Sequence, residues 1–300
     1  MRTGSTLKKH IVRIINRLGI DVIPYRPTHL ETLPLEQAVI GFVTPPRHSL
    51  VVNAPIPDMT WESGFSMHPD GWNPYVATVA GYLDGRFTEY AGSPLEQYYT
   101  RFLPETAAEY LCPHLVRVGP LSDIPARAFL PPWSLRSPEQ AQEKRLNQNQ
   151  GENRAHLRRT RTPVAVNTRD TSWGINKMGP VSEMKGRVEF GRLAYLADSI
   201  KRNGYRRDMA GDIKAVVLRH NGLLLYVVRA GYHRLAVLAA LGVERVAVRL
   251  LPPAILDRAI LMESPAVRDG YWSKQELEIY MDFLFNERGD SRARAVGLIP

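Results

Sequence analysis

Apolar residues fall at helical spacing at the start of this chain, thin out in its middle, and return as clear strand and helix patterns after about residue 173. In STLKKHIVRIINRLGIDVI, residues Leu7, Ile11, Ile14, Ile15 and Leu18 share a face. Lys8, Lys9, Arg13 and Arg17 lie mostly elsewhere and Gly19 ends the run, so residues 1–26 are read as a basic amphipathic helix. Such a helix packs on its own domain or lies on a membrane surface or a partner. Residues 27–133 are rich in Pro, Tyr and Trp and show few long periodic runs. NPYVATVAGYLDG (73–85) and SPLEQYYTRFL (93–103) each open with a cap residue followed by Pro, which predicts two helices in a small, irregular α-rich region. From 134 to 172 apolar residues nearly vanish, which predicts a flexible basic linker or a long exposed loop.

The second folded region is expected over 173–287, followed by a tail at 288–300. EFGRLAYLADSIKRNGY places Leu193, Leu196, Ala197 and Ile200 on one face and Gly204 at its end, a helix of about three turns. IKAVVLR and LLLYVVR flank His220-Asn221-Gly222, a hairpin signal. The second strand runs into AGYHR, where a helix using Leu235, Leu238, Ala239 and Leu241 begins and continues to Gly242. ERVAVRL then alternates as a short strand. SKQELEIYMDFLF opens with a capping box, Ser273 to Glu276, and turns Leu277, Tyr280, Met281 and Leu284 to one side. Helix, hairpin, helix, strand makes an α/β (α+β) chain: a small mixed-sheet domain in the C-terminal half, preceded by the irregular α-rich region.

Charge changes the picture only by where it sits. The formal net charge is +9, and nucleic acid is the first partner such a value suggests. Six basic residues against one acidic in residues 1–26 (net +5), and seven against three in 134–162 (net +4), account for the whole excess. The folded parts are neutral, which argues against a duplex-binding face. A single Cys112 rules out an intramolecular disulfide, and no early apolar run has the length of a signal-peptide core or a membrane span. The expectation is a cytoplasmic protein with peripheral membrane contact through residues 1–18.

The corner at Gly231-Tyr232-His233-Arg234 carries the most specific chemistry. A helix start presents unpaired N–H groups and a partial positive charge, and a glycine just before it lets a ligand approach the backbone. His233 and Arg234 add a charge-responsive donor and a planar guanidinium suited to phosphate oxygens. The bland alternative is that both are solvated first-turn residues, with Arg234 paired to a carboxylate.

The series L-A-D-S-I-K-R-N-G-Y (196–205), a hairpin, G-Y-H-R-L-A-V-L-A-A-L-G (231–242) and V-A-V (246–248) resembles the ParB/sulfiredoxin superfamily over about residues 180–250. The resemblance implies a nucleotide-binding domain with phosphates on Gly231, Tyr232, His233 and Arg234 and the nucleoside near Ser199. Tyr232 stands where sulfiredoxins have their catalytic cysteine, and the chain after 250 shows no helix-turn-helix of the chromosome-partitioning type. In box chemistry the chain is most similar to the small-molecule kinase branch, although Ala230 replaces the acid that often precedes the glycine there. That branch implies ATP or CTP with Mg²⁺ and a carboxylate from the segment before the first helix: Glu183 and Glu189 as catalytic candidates, with Lys185 and Arg192 as phosphate ligands. Glu189 reads equally as a plain helix-start charge.

Other constellations carry less. His68, His114, His220 and His233 lack metal-ligand spacing with Cys112 or carboxylates. Trp61, Phe65, Trp72 and Tyr75, with His68 and Asp70 nearby, line a sugar site or pack a core. In overall look the chain resembles proteins that accompany bacterial surface-polysaccharide synthesis. The function expected is a nucleotide-binding phosphoryl or nucleotidyl transferase acting on a small polar or saccharide acceptor. The alternatives are a ParB-like DNA-binding or nuclease module, or a nucleotide sensor without turnover.

Overall fold

A computed structural model describes residues 51–134, 140, 174–207 and 211–300. The basic helix expected in residues 1–26 and almost all of the 134–172 linker lie outside them. The chain builds one mixed five-stranded sheet, order β1-β5-β3-β4-β2, with helices packed around it, so the expected α/β class is observed. No helix among the described residues is long and apolar enough to cross a membrane.

The N-terminal helices form where their caps predict. Helix α1 (Pro74–Leu83) starts at Asn73, whose side chain accepts from the amides of Tyr75 and Val76. Helix α2 (Pro94–Arg101) starts at Ser93 in the same way. Helix α3 (Ala107–Leu111) is opened by a reciprocal Thr106–Glu109 capping box, and three short 3₁₀ turns follow it between 113 and 128.

The C-terminal order is also the predicted one, with longer elements. Helix α4 (Glu183–Asn203) has 21 residues because Ser182 caps it at Lys185, so it begins two turns before its apolar stripe. Strands β3 (Ile213–His220) and β4 (Leu223–Ala230) form the hairpin; Asn221 (φ 48°) and Gly222 (φ 78°) both take the left-handed conformation this tight turn requires. Helix α5 (Tyr232–Ala240) packs on α1 and α4. Strand β5 (Arg245–Asp257) runs 13 residues rather than seven, because its second half continues parallel to β3 past a register irregularity, out to Arg219 opposite Asp257.

Two expectations change. The sheet is not built from the C-terminal half alone: β1 (Val51–Pro55) pairs antiparallel with β5 and the short β2 (Met59–Thr60) pairs parallel with β4. A single hydrophobic core therefore runs through both halves, from Val52 and Trp61 to Val227 and Tyr280. The expected tail is folded too. After α6 (Arg258–Met262), α7 (Pro265–Arg268) and α8 (Lys274–Asn286), helix α9 (Asp290–Ala295) buries Arg292 at 3% exposure. Its guanidinium donates to the carbonyls of Ser63, Leu111 and Glu109 and lies 4.7 Å from the Phe102 ring centre. Three carbonyls and an aromatic face can hold a cation that has no buried acid beside it.

Candidate functional site

The corner forms at the end of β4, and its glycine answers to the chain itself. Gly231 has φ 90°, a left-handed conformation that favours glycine. A Cβ there would lie 3.0 Å from Ile213 Cγ1 and 3.1 Å from Ile213 Cα, so the close neighbour is strand β3. No side chain caps the helix start. The two exposed directions at the corner then diverge: Arg234 turns towards β3 and β5, Tyr232 towards β2.

On the β3 side three arginines converge. Arg234 donates to the carbonyls of Gly211 and Asp212. The Asp212 carboxylate is 4% exposed and is held by Arg207 (2.8 Å) from the segment after α4 and by Arg249 (2.6 Å) from β5. Burial pushes the Asp212 carboxyl up, but the two guanidinium groups outweigh it and its pKa is lowered. The outcome is a group of planar cations at the uncapped start of a helix. Arg234 is thus bound to backbone oxygens of the β3 entrance.

Behind the corner, the structure brings Lys185, Glu189, Arg192 and His233 together. His233 is 6% exposed and its Nε2 lies 2.5 Å from Glu189 Oε2. Burial raises the Glu189 carboxyl, yet His233, Lys185 and Arg192 hold it down at about 2. Burial lowers the His233 pKa against the pull of Glu189, so the imidazole is neutral at pH 7 and donates its Nε2 proton to the carboxylate. Lys185 is buried as well, its Nζ donating to Gly174 O at 3.3 Å. The ring of Tyr75 covers His233 at 4.8 Å between centres.

These placements revise individual roles. His233, expected on phosphate, faces inward and positions Glu189. Glu189, expected to act on an acceptor, is sealed by its partners. Glu183 is open to solvent but paired with Arg187 at 2.7 Å, six residues before Glu189 and about 9 Å from it along α4. Ser199 lies half-buried towards the C-terminal end of α4. Among the candidates only Gly231, Tyr232 and Arg234 remain at the partly exposed corner.

On the β2 side lies a group of residues that no local pattern signalled. Glu62, 1% exposed, sits at the turn after β2. Its Oε1 accepts from Lys177 Nζ at 2.6 Å and from Arg229 of β4 at 2.9 Å, and its Oε2 accepts from the Tyr232 hydroxyl at 3.0 Å. Burial is the largest influence on Arg229 and lowers its pKa, but Glu62 together with the surrounding tyrosines raises the guanidinium above its ordinary value. A narrow cleft with room for little more than a water molecule opens here, walled by Trp61, Glu62, Tyr75, Tyr110, Asn176, Lys177 and Tyr232. Trp61 and Tyr75, read from sequence as sugar site or core, are buried in the core and also line the cleft.

Comparison with known proteins finds no match among protein-family models, curated proteins or solved structures. Among the described residues no group of three or more His, Cys, Asp or Glu side chains is placed to hold a metal ion. Asp212, the carboxylate nearest the arginines, has both oxygens engaged by guanidinium groups, so the chain does not itself offer a Mg²⁺ cradle there. Cys112 is buried with its thiol pushed up to about 12, which removes it as a nucleophile.

Proposed function

We propose that the Gly231 corner binds the polyphosphate of a nucleotide such as ATP or CTP. On this reading the chain is a nucleotide-dependent transferase, moving a phosphoryl or nucleotidyl group to a small polar or saccharide acceptor. One observation carries it: Arg207, Arg234 and Arg249 converge at the uncapped N-terminus of α5, where backbone amides and the helix dipole already favour an anion. The box resemblance to the ParB/sulfiredoxin superfamily supports the same assignment. Charge-assisted hydrogen bonds contribute roughly 1.5–3 kcal/mol each, so three guanidinium groups with a helix terminus reach the ~8 kcal/mol of a micromolar complex.

The roles within the proposal follow the geometry. Arg234 and the α5 amides contact phosphate oxygens, and Arg207 and Arg249 complete the cationic wall while Asp212 fixes their planes. Mg²⁺ would arrive with the nucleotide, its ligands being phosphate oxygens and water. Glu189 and His233 act from behind, fixing the first turn of α5.

The test is thermal unfolding of the full chain with ATP, CTP or GTP, with and without MgCl₂. A rise of several degrees for at least one nucleotide is expected, lost in Arg234→Ala and in Arg207→Ala. No shift with any nucleotide would overturn the reading. Incubation with γ-labelled and α-labelled nucleotide and a small-molecule extract then reads transfer directly, and absence of label transfer despite binding would leave a sensor rather than an enzyme.

A further inference from the structure

We infer that α4 is a self-association surface: a second copy of this chain packs antiparallel against its solvent face, along Met184, Val188, Gly191 and Tyr195. These positions, spaced four, three and four apart, form one stripe on the helix. The stripe lies opposite the side on which Glu189, Phe190, Leu193 and Ala197 are buried, where α4 packs on α1, α2 and α5. The centre of a helix's solvent face ordinarily carries polar side chains. Here Tyr195 is 70% exposed, more than any other large hydrophobic among the described residues, and Met184 is 40% exposed. Two further observations, a glycine and a charge pattern, say what covers this face.

Helix α4 holds two glycines, and the described residues explain one of them. A Cβ on Gly186 would run into the ring of Tyr90. A Cβ on Gly191 would meet nothing within 4 Å, although glycine is the poorest former of a helix interior after proline. A glycine on the open side of a helix lets a second backbone come close, and two copies of α4 crossing at Gly191 use that freedom.

The charges along the face select the partner. Its first turn is acidic: Glu183, 72% exposed, with Glu89 and Glu96 close by, outnumbers Arg187. Its last turn is basic, with Lys201 and Arg202 both exposed. An anionic membrane or a nucleic acid would need one sign throughout. A surface acidic at one end and basic at the other complements itself when turned end for end, as a two-fold axis at Gly191 does. Glu183 and Lys201 are 18 residues apart, about five full turns, so they lie on the same flank of the stripe. Like flanks meet in an antiparallel pair, which brings each Glu183 beside the partner's Lys201, and the opposed helix dipoles favour the same arrangement. A contact of a few helical turns is at the small end of specific interfaces, so the dimer is weak, half-dissociated at about 10–100 μM. The surface lies on the far side of α4 from Glu189 and stands independently of nucleotide binding at Gly231.

The experiment is sedimentation equilibrium of the full-length protein over a concentration series that brackets that range. A monomer–dimer equilibrium is expected. Tyr195→Glu should abolish the dimer and Gly191→Leu should weaken it about ten-fold or more by a clash with the partner helix. Neither should lower the urea midpoint, because neither position is packed within one copy. Glu183→Lys and Lys201→Glu should each weaken the dimer about three-fold or more, and the two together should restore it. A monomer at every concentration overturns the proposal and leaves the face to residues 1–26 or to an unrelated protein. A dimer that survives both Tyr195→Glu and Gly191→Leu overturns it by placing the contact elsewhere, and a double charge reversal without recovery overturns the antiparallel pairing. Any nucleotide-induced thermal shift should persist in Tyr195→Glu, so the two readings fail separately.

Discussion

Glu189 and Glu62 are both almost wholly buried carboxylates, and both lie beside the first turn of α5, yet they are handled in opposite ways. Glu189 meets a neutral histidine that is itself buried, under the ring of Tyr75, with Lys185 and Arg192 acting on it from a little farther away. Glu62 meets two cations and a phenol at the wall of a cleft. A carboxylate closed off with a neutral donor holds a turn in place, because nothing from solvent can compete for it. A carboxylate held by two cations and a phenol at a cleft wall binds distant segments of the chain together. The difference separates a sealed acid–imidazole pair from an ion cluster at a cleft wall, both beside one helix start.

The largest effect is expected where that distinction is removed by force. Arg229→Met leaves Glu62 buried with one cation fewer and should cost about 3–5 kcal/mol in urea unfolding, with more than half recovered in the double variant with Glu62→Gln. A loss below about 1 kcal/mol would mean that Glu62 is solvated and that the cluster is no buried network.

Next comes the closed pair. Glu189→Gln should cost about 2 kcal/mol by the same measurement, since it trades an ionised acceptor for a neutral amide against a buried imidazole. A loss below about 0.5 kcal/mol would show the pair open to solvent and break the comparison.

The pair also sets a pH slope. The folded Glu189 carboxyl at about 2 lies below its ordinary 4.5, so its contribution is complete above about pH 5 and is lost as pH falls through 4.5 towards 2. His233 is lowered from 6.5, so the unfolded chain binds its proton first and stability declines as pH falls below that value. Both signs agree. Urea unfolding at pH 7, 5.5 and 4 should show a monotonic loss of about 1 kcal/mol or more; rising stability on acidification would contradict the neutral assignment of His233.

The smallest stability effect belongs to the open wall. Lys177 is partly exposed, so Lys177→Gln should change unfolding free energy by less than about 1 kcal/mol. A stability loss as large as that of Glu189→Gln would make Lys177 a structural cation and the Glu62 cleft a second closed pair.

The features legible along the chain alone are local ones. Asn73, Ser93 and Ser273 start their helices as their types and spacing predict, the Asn221-Gly222 turn closes the β3–β4 hairpin, and Gly231 breaks strand from helix where the apolar run stops. Each is a matter of backbone conformation and hydrogen bonds within a few residues, which side-chain type controls directly. The tertiary structure alone decided the chemistry. Lys177 and Arg229 reach Glu62 across 115 and 167 positions, and Arg249 reaches Asp212 across 37. The strand around Val51–Pro55, broken by prolines and without a hairpin partner, joins the sheet only because the edge of β5 is open to it. Arg292, in what reads as a tail, finds its three carbonyls on segments far away in sequence. Ion pairs of this kind have no period along the chain, and whether a charged side chain is buried, paired or left facing a cleft depends on which distant groups share its low-dielectric surroundings.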